Sequence, residues 1–197
     1  MAIAGVVLAA GLSRRMGQAK LLLPIEGRPV VRHVVERLLA AGLDPLIVVT
    51  GREDRAIRAA LGDLDVIVAV NPHPEAGQAG SVKVGIAAVP ADAPAALVAL
   101  GDQPFVPGEV IVALLEARVR AGRAIVAPRY REGRGNPVLF SREVFAELVE
   151  ISGDQGARAV LERDPSRVTL VDVDLHMPQD LDTPEDYAKL RRAGNPV

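Results

Sequence analysis

Apolar stretches recur along the chain in two alternating rhythms. Ile3-Ala4-Gly5-Val6-Val7-Leu8 is apolar throughout rather than alternating, the mark of a strand buried on both faces. Helical spacing over Val30 to Ala41 follows, with Pro29 at the first turn and Gly42 at the end. Leu46 to Thr50 is the second strand, Arg52 to Leu61 a helix closed by Gly62, and Val66 to Val70 the third strand. Beyond a Pro- and Gly-rich loop, Gly80 to Val89 is predicted helical and Ala96 to Leu100 forms a fourth strand ending at Gly101-Asp102. Val110 to Ala121 is the next helix and Ala124 to Ala127 the fifth strand. Strands alternating with helices imply βαβ units, a mostly parallel sheet flanked by helices and right-handed crossovers, hence an α/β fold.

The C-terminal third departs from this rhythm. Arg129 to Arg134 is charged and turn-like, and Val138 to Phe140 is a short extended piece. A hairpin or excursion over the mouth of a site is expected there. Helices are predicted over Arg142 to Glu150 and Gln155 to Arg163, and a last strand over Val168 to Val173. Asp172 and Asp174 then fall on that strand's exposed face. Thr183-Pro184-Glu185-Asp186 reads as a helix start, with Thr183 as N-cap, Pro184 at the first position and Asp186 completing a capping box. Residues from Gly194 onward are expected to fray.

Composition narrows the classes. With 197 residues the chain fits one domain, 1–197, large enough to bury a proper core. Only 3% of residues are aromatic, so that core must be built from Ala, Val, Leu and Ile. A net charge of −2 supplies no overall basic balance against phosphates, so nucleic acid is not an expected partner. Without cysteine there is neither a disulfide framework nor a thiolate metal site. No signal peptide is read before the first strand and no apolar run reaches the roughly 20 residues of a membrane span, so no membrane partner and a cytoplasmic location are expected. His33, His73 and His176 have no metal-site spacing, and no Ser/His/Asp set is legible.

Candidate chemistry begins after the first strand. Ala9-Ala10-Gly11-Leu12-Ser13-Arg14-Arg15-Met16-Gly17-Gln18-Ala19-Lys20 is small, glycine-containing and basic. Gly11 and Gly17 permit tight turns and a close backbone approach. Backbone N–H groups of such a loop can cradle phosphate oxygens, and Arg15 and Lys20 add fixed positive charge. The spacing is neither that of a Walker loop nor GxGxxG. Asp102, at the end of the fourth strand, lies on the rim where ligands of open α/β sheets bind. A carboxylate there can hold Mg²⁺ or simply cap a turn before Pro104. Mg²⁺ takes only one or two protein carboxylates. A second could come from Asp180-Leu181-Asp182, with Asp182 preferred, or that segment is a solvated turn before the last helix.

The string Leu8-Ala9-Ala10-Gly11-x-Ser13-x-Arg15-Met16-Gly17-x-x-Lys20, with Leu22-Leu23-Pro24 behind it, resembles the signature of the MobA-like nucleotidyltransferases. Gly77-Gln78-Ala79-Gly80-Ser81, Gly101-Asp102-Gln103-Pro104, Gly135-Asn136-Pro137-Val138-Leu139-Phe140, Gly153-Asp154-Gln155-Gly156-Ala157-Arg158 and Asp180 to Asp186 follow in family order. The resemblance implies a single Rossmann-like domain of the nucleotide-diphospho-sugar transferase type. It implies Mg²⁺-dependent transfer of a nucleoside monophosphate to a phosphorylated acceptor, with release of pyrophosphate.

Arg15, Lys20 and Asp102 would then be catalytic, the two cations holding the β- and γ-phosphates. Ala9, Ala10, Gly11, Gly17, Gly77, Gly80 and Ser81 would join Arg15 and Lys20 in binding the nucleotide, although Ser81 could equally cap the helix after it. Asp102 and Asp182 would hold the metal. Gln103, Asn136, Gln155 and Gly156 would face the acceptor, while Asp154 could be only a helix cap. Asn136 stands where the family usually has His, which removes the basis for a proton-transfer role there, although Asn still donates and accepts hydrogen bonds.

Leu-Ala-Ala-Gly, in place of the Leu-Ala-Gly-Gly of guanylyltransferase members, points to the molybdenum cofactor cytidylyltransferases, as does the lack of Asp before Lys20. The substrates so implied are CTP and a molybdopterin-type acceptor, and a molybdenum oxidoreductase or its chaperone is an implied partner. Alternatives are a GTP-dependent guanylyltransferase, a sugar- or alcohol-phosphate nucleotidyltransferase, and a non-catalytic carrier of the cofactor.

Overall fold

The computed structural model describes residues 2–193, so the fraying expected from Gly194 onward lies outside the described residues. The chain runs β1 (Ala4–Ala9), β2 (Pro24–Ile25), β3 (Arg28–Pro29), α1 (Val30–Ala40), β4 (Leu46–Thr50), α2 (Asp54–Leu61) and β5 (Ile67–Val70). It continues through α3 (Gln78–Ala87), β6 (Ala95–Leu100), α4 (Gly108–Ala121), β7 (Ile125–Tyr130), β8 (Gly133–Arg134) and β9 (Val138–Ser141). It closes with α5 (Phe145–Leu148), α6 (Arg158–Arg163), β10 (Val168–Asp172) and α7 (Pro184–Ala193).

One eight-stranded sheet, ordered β10-β7-β9-β6-β1-β4-β5 with β8 paired to β7, organises the molecule. The β1–β4, β1–β6, β4–β5 and β7–β10 pairs are parallel. β9 is antiparallel to both β6 and β7. This is the expected α/β domain with a mostly parallel sheet flanked by helices.

Strand β1 explains why its sequence is apolar at every position. Val7 and Ala9 belong to the core on one face of the sheet, and Ala4 and Val6 to the core on the other. Helices α1, α2, α4 and α7 contribute to the first core through residues such as Val34, Leu38, Ile57, Leu61, Leu114 and Leu190. Helices α3, α5 and α6 contribute to the second through Val82, Ile86, Phe145, Leu148, Val160 and Leu161. Both cores are dominated by Ala, Val, Leu and Ile, as the scarcity of aromatics requires.

The C-terminal third corrects three expectations. Arg129 and Tyr130 are not part of the turn but extend β7, which runs three residues past Ala127 before the hairpin to β8. Val138 to Phe140 is extended, as expected, but it belongs to the central sheet rather than to an excursion over the mouth. As β9 it fills the slot between β6 and β7, with Val138, Leu139 and Phe140 all buried. A three-residue apolar run carries no periodicity by which a central strand could be told from a rim segment. Arg142 to Glu150 is shorter and more broken than expected, a 3₁₀ turn at Arg142–Val144 followed by α5.

Helix α3 begins at Gln78, three residues before Ser81, so Ser81 lies inside the first turn and is not its cap. Likewise α6 starts only at Arg158, and Asp154 does not cap it. Asp172 and Asp174 are on the exposed face, as expected, paired with Arg129 and Arg131.

Candidate active site

Loops leaving the carboxyl ends of β1, β5 and β6 converge on a cleft of about 410 Å³. The first loop contributes Ala10, Gly11, Ser13, Arg15 and Lys20; the others contribute Gly77, Gln78, Ser81 and Asp102, with Asp182 entering from the segment before α7. The first loop is folded around Ser13, a non-glycine residue at φ 49°. Its carbonyl accepts from the N–H groups of Met16 and Gly17, each at 3.1 Å. Its hydroxyl oxygen accepts from the Lys20 N–H at 3.3 Å. A side chain at positive φ is uncommon and is concentrated at turns and binding sites.

Lys20 lies at the centre of the charge arrangement. Its Nζ donates to Asp102 Oδ2 at 2.5 Å and to Asp182 Oδ1 at 2.9 Å. Arg15 pairs with the other Asp182 oxygen at 2.8 Å. Lys20 is only 8% exposed. Burial works against its positive charge, but the charge and hydrogen bond of Asp102, and then those of Asp182, outweigh it, so the pKa lies above the ordinary lysine value.

Two local devices bring carboxylates from distant parts of the chain together. Gly101 ends β6 where a Cβ would come within 2.9 Å of the Leu8 carbonyl oxygen, so only glycine lets Asp102 leave the sheet beside the first loop. The Leu181 N–H then donates to the Asp102 carbonyl at 3.0 Å. The Leu181 side chain is fully buried, worth about 2 kcal/mol of apolar transfer. The expected capping box follows: Asp186 accepts from the Thr183 N–H at 2.9 Å and the Thr183 hydroxyl at 2.8 Å, and its own N–H donates to Thr183 Oγ1 at 3.2 Å. The Thr183 hydroxyl is the main reason that the Asp186 pKa lies below the ordinary carboxylate value. Asp182 is thereby held at the head of α7.

Among the described residues, no three His, Asp or Glu side chains group as a metal site made by protein alone. The donor set that does converge is the Asp102 and Asp182 pair, with an ammonium already bridging it. Two hard oxygen donors, leaving further positions to water and phosphate oxygens, match what Mg²⁺ takes from a protein. A bridging cation shows that the pair accommodates positive charge between its members.

A second, larger cleft of about 900 Å³ adjoins the first. The two share Leu8, Gln78, Leu100 and Asp154 as lining residues. Gln103, Asn136 and Gln155 line the second cleft together with Arg134, Arg158 and an apolar floor that includes Val138 and Leu161. Gln103 is 4% exposed and donates through Nε2 to Asp180 Oδ1 at 2.6 Å, but its Oε1 has no partner among the described residues. Asp180 thus meets Gln103, whereas Asp182 meets Lys20 and Arg15.

Four of the expected site residues are placed elsewhere. Ala9 is 3% exposed and packs into the core on the α1 side of the sheet. Gly17, at φ 69°, serves the turn rather than the lining. Gly80 faces the Asn71 side chain, where a Cβ would stand 3.3 Å from Asn71 Nδ2. Gly156 is buried against Gln78, whose Oε1 a Cβ there would meet at 2.2 Å.

Conversely, Gln78 and Asp154 line both clefts, a position that sequence reasoning missed for both. The available signal was Gly77: at φ 97°, with a Cβ that would lie 2.5 Å from Asp154 Oδ1, it brings the loop at 153–154 against the start of α3. The Ala79 N–H completes that contact by donating to the Gly153 carbonyl at 3.1 Å.

Comparison with known proteins agrees with this architecture. The profile of the MobA-like NTP transferase domain matches residues 5–168. The purine catabolism protein PucB of Bacillus subtilis (strain 168) is 31% identical over 96% of this chain and 96% of its own length. A probable molybdenum cofactor guanylyltransferase of Thermococcus gammatolerans is 26% identical over 95% of this chain and 98% of its own. The crystal structure of Rv0371c from Mycobacterium tuberculosis H37Rv superposes with a TM-score of 0.86 at 34% identity, covering 98% of both chains. A structure of the same mycobacterial protein in complex with manganese superposes with a TM-score of 0.82. The fold is that of the nucleotide-diphospho-sugar transferases.

Proposed function

The chain belongs to the MobA-like NTP transferase family, and from that premise we propose that it transfers CMP from CTP to the phosphate of a molybdopterin-type cofactor, releasing pyrophosphate. The observation that carries the reading is the pairing of a compact charged cleft with a larger, partly apolar one across Gln78 and Asp154. A triphosphate fits the first, which Lys20, Arg15 and Arg14 line with positive charge. A heterocyclic acceptor fits the second, where Gln103, Asn136 and Gln155 offer hydrogen bonds above an apolar floor.

An acceptor phosphate oxygen bonds to the α-phosphorus while the bond from that phosphorus to the bridging oxygen breaks, and pyrophosphate leaves. The protein forms no covalent bond. Lys20 and Arg15 exchange their carboxylate partners for phosphate oxygens, and positioning and charge stabilisation supply the rate. Asp102 and Asp182 would hold a divalent cation, Mg²⁺ in this reading, and when bound it supplies charge neutralisation on phosphate oxygens. The manganese complex of the mycobacterial relative supports a divalent cation in proteins of this fold. A molybdenum oxidoreductase or its chaperone would receive the product.

The choice of CTP rests on Ala10, where guanylyltransferase members carry glycine. The Thermococcus relative, named as a probable guanylyltransferase, makes GTP the second reading. Pyrophosphate release with Mg²⁺ and purified molybdenum cofactor, compared across CTP, GTP, ATP and UTP, tests both. Release with CTP alone, lost in Asp102→Ala, is expected. Release with GTP alone overturns the base assignment. Binding of nucleotide without release from any of the four overturns the transferase reading with this acceptor and favours a carrier.

A further inference from the structure

The nucleotide cleft contains one hydroxyl whose direction is set by a residue outside the cleft. Asn71 follows β5 and is 3% exposed, with its own N–H bound to the Thr50 carbonyl at 2.8 Å. Its side-chain Oδ1 accepts from the His73 N–H at 3.0 Å. A backbone N–H can only donate, so this bond fixes which end of the amide is oxygen and turns Nδ2 toward α3. There Nδ2 donates to Ser81 Oγ at 3.1 Å. Ser81 is 6% exposed and lines the cleft. Its oxygen is therefore engaged as an acceptor on the protein side, and its hydroxyl hydrogen has no partner among the described residues. The absence of a side chain on Gly80 gives Asn71 the room for this contact.

We propose that Asn71 is a positioning residue that occupies one lone pair of the Ser81 hydroxyl and frees its hydrogen for the cleft, so that this wall favours a hydrogen-bond acceptor atom on the nucleotide's base or ribose. The inference rests on the first cleft being the nucleotide site and adds to that reading a defined polarity at one point of its wall. Exchange of Asn71 for Asp keeps the shape but leaves only acceptors. The His73 N–H stays satisfied, Ser81 must turn its hydrogen inward, and lone pairs then face the ligand.

Titration calorimetry of CTP and 2′-deoxy-CTP against wild type, Asn71→Asp, Ser81→Ala and the double variant tests this, with kcat/KM measured alongside. Asn71→Asp and Ser81→Ala should each weaken CTP about tenfold, the size of one hydrogen bond. The double variant should bind no more weakly than Ser81→Ala, and kcat/KM for CTP should fall in step with affinity. A purely structural Asn71 would lower the melting temperature without moving Kd. A penalty that vanishes with 2′-deoxy-CTP places the acceptor at the ribose 2′-oxygen; one that persists places it on the base or on another ribose oxygen.

Wild-type affinity in Asn71→Asp, or penalties that multiply in the double variant, overturns the proposal. Failure of the wild type to bind any nucleoside triphosphate instead overturns the assignment of the cleft itself. Should Asn71→Asp not fold, Asn71→Ala enters the same cycle, with non-additivity against Ser81→Ala again the expected result and multiplying penalties the contrary one.

Discussion

The two clefts are built on opposite principles. In the smaller one, Lys20, Asp102, Asp182 and Arg15 already form a closed set of ion pairs. In the larger one, a buried Gln103 oxygen has no partner among the described residues. Ions removed from water are costly unless paired, so the charged cleft must satisfy itself when no ligand is present. A lone amide oxygen is a far smaller penalty and can wait for its ligand. In the proposed reading, substrate binding on the first side is an exchange of partners, and on the second side a completion.

That difference can be broken most visibly at Lys20. Lys20→Met should lower turnover by about 10²- to 10³-fold, the usual cost of losing one aimed charge at a transferring group. The same change should tighten Mn²⁺ binding by the free protein, measured by paramagnetic resonance without nucleotide, because no ammonium then competes for Asp102 and Asp182. Weaker metal binding in the variant would contradict the exchange. On the other side, Gln103→Leu should raise the KM for the acceptor by about tenfold while leaving nucleotide affinity unchanged, the cost of one hydrogen bond to the ligand. Equal losses for both substrates would show that the two clefts do not divide the work.

The smallest effect belongs to the support of Asp182. Thr183→Ala removes the capping box and should cost about 1 kcal/mol, seen as a fall of about 2–4 °C in melting temperature. A modest loss of kcat should accompany it. A variant with unchanged stability would mean that Asp186 and the buried Leu181 anchor the segment unaided.

Legibility in the sequence follows the same physical divide as the fold. The parallel half was readable because each strand and helix is long enough to show its period: Leu46–Thr50 is a strand at the expected residues, and α1 ends one residue before Ala41. The antiparallel part was not, because β9 is four residues long and β8 two. Their place is set by partners far away in sequence rather than by local pattern. The site divides similarly. The first loop and Asp102 stand out as residue types at a strand end. Asn71 and Gln78 do not, since an amide after a strand or at a helix start is ordinary until its neighbours are known. Gly17 and Gly80 show a related limit: a glycine marks a tight place but not what is tight about it.

The bond between the Leu181 N–H and the Asp102 carbonyl has a consequence for how the protein comes into being. Asp182 stands 162 positions beyond Lys20, the cation it shares with Asp102. Contacts so distant along the chain form late, after the intervening loops have closed. During synthesis, the strands around β1 can pair and the first loop can take shape while the second carboxylate is still unmade. A chain cut short before Leu181 would keep every strand of its sheet but only part of its charge network. The segment around Asp182 thus joins the charged centre only after every strand of the sheet has been made.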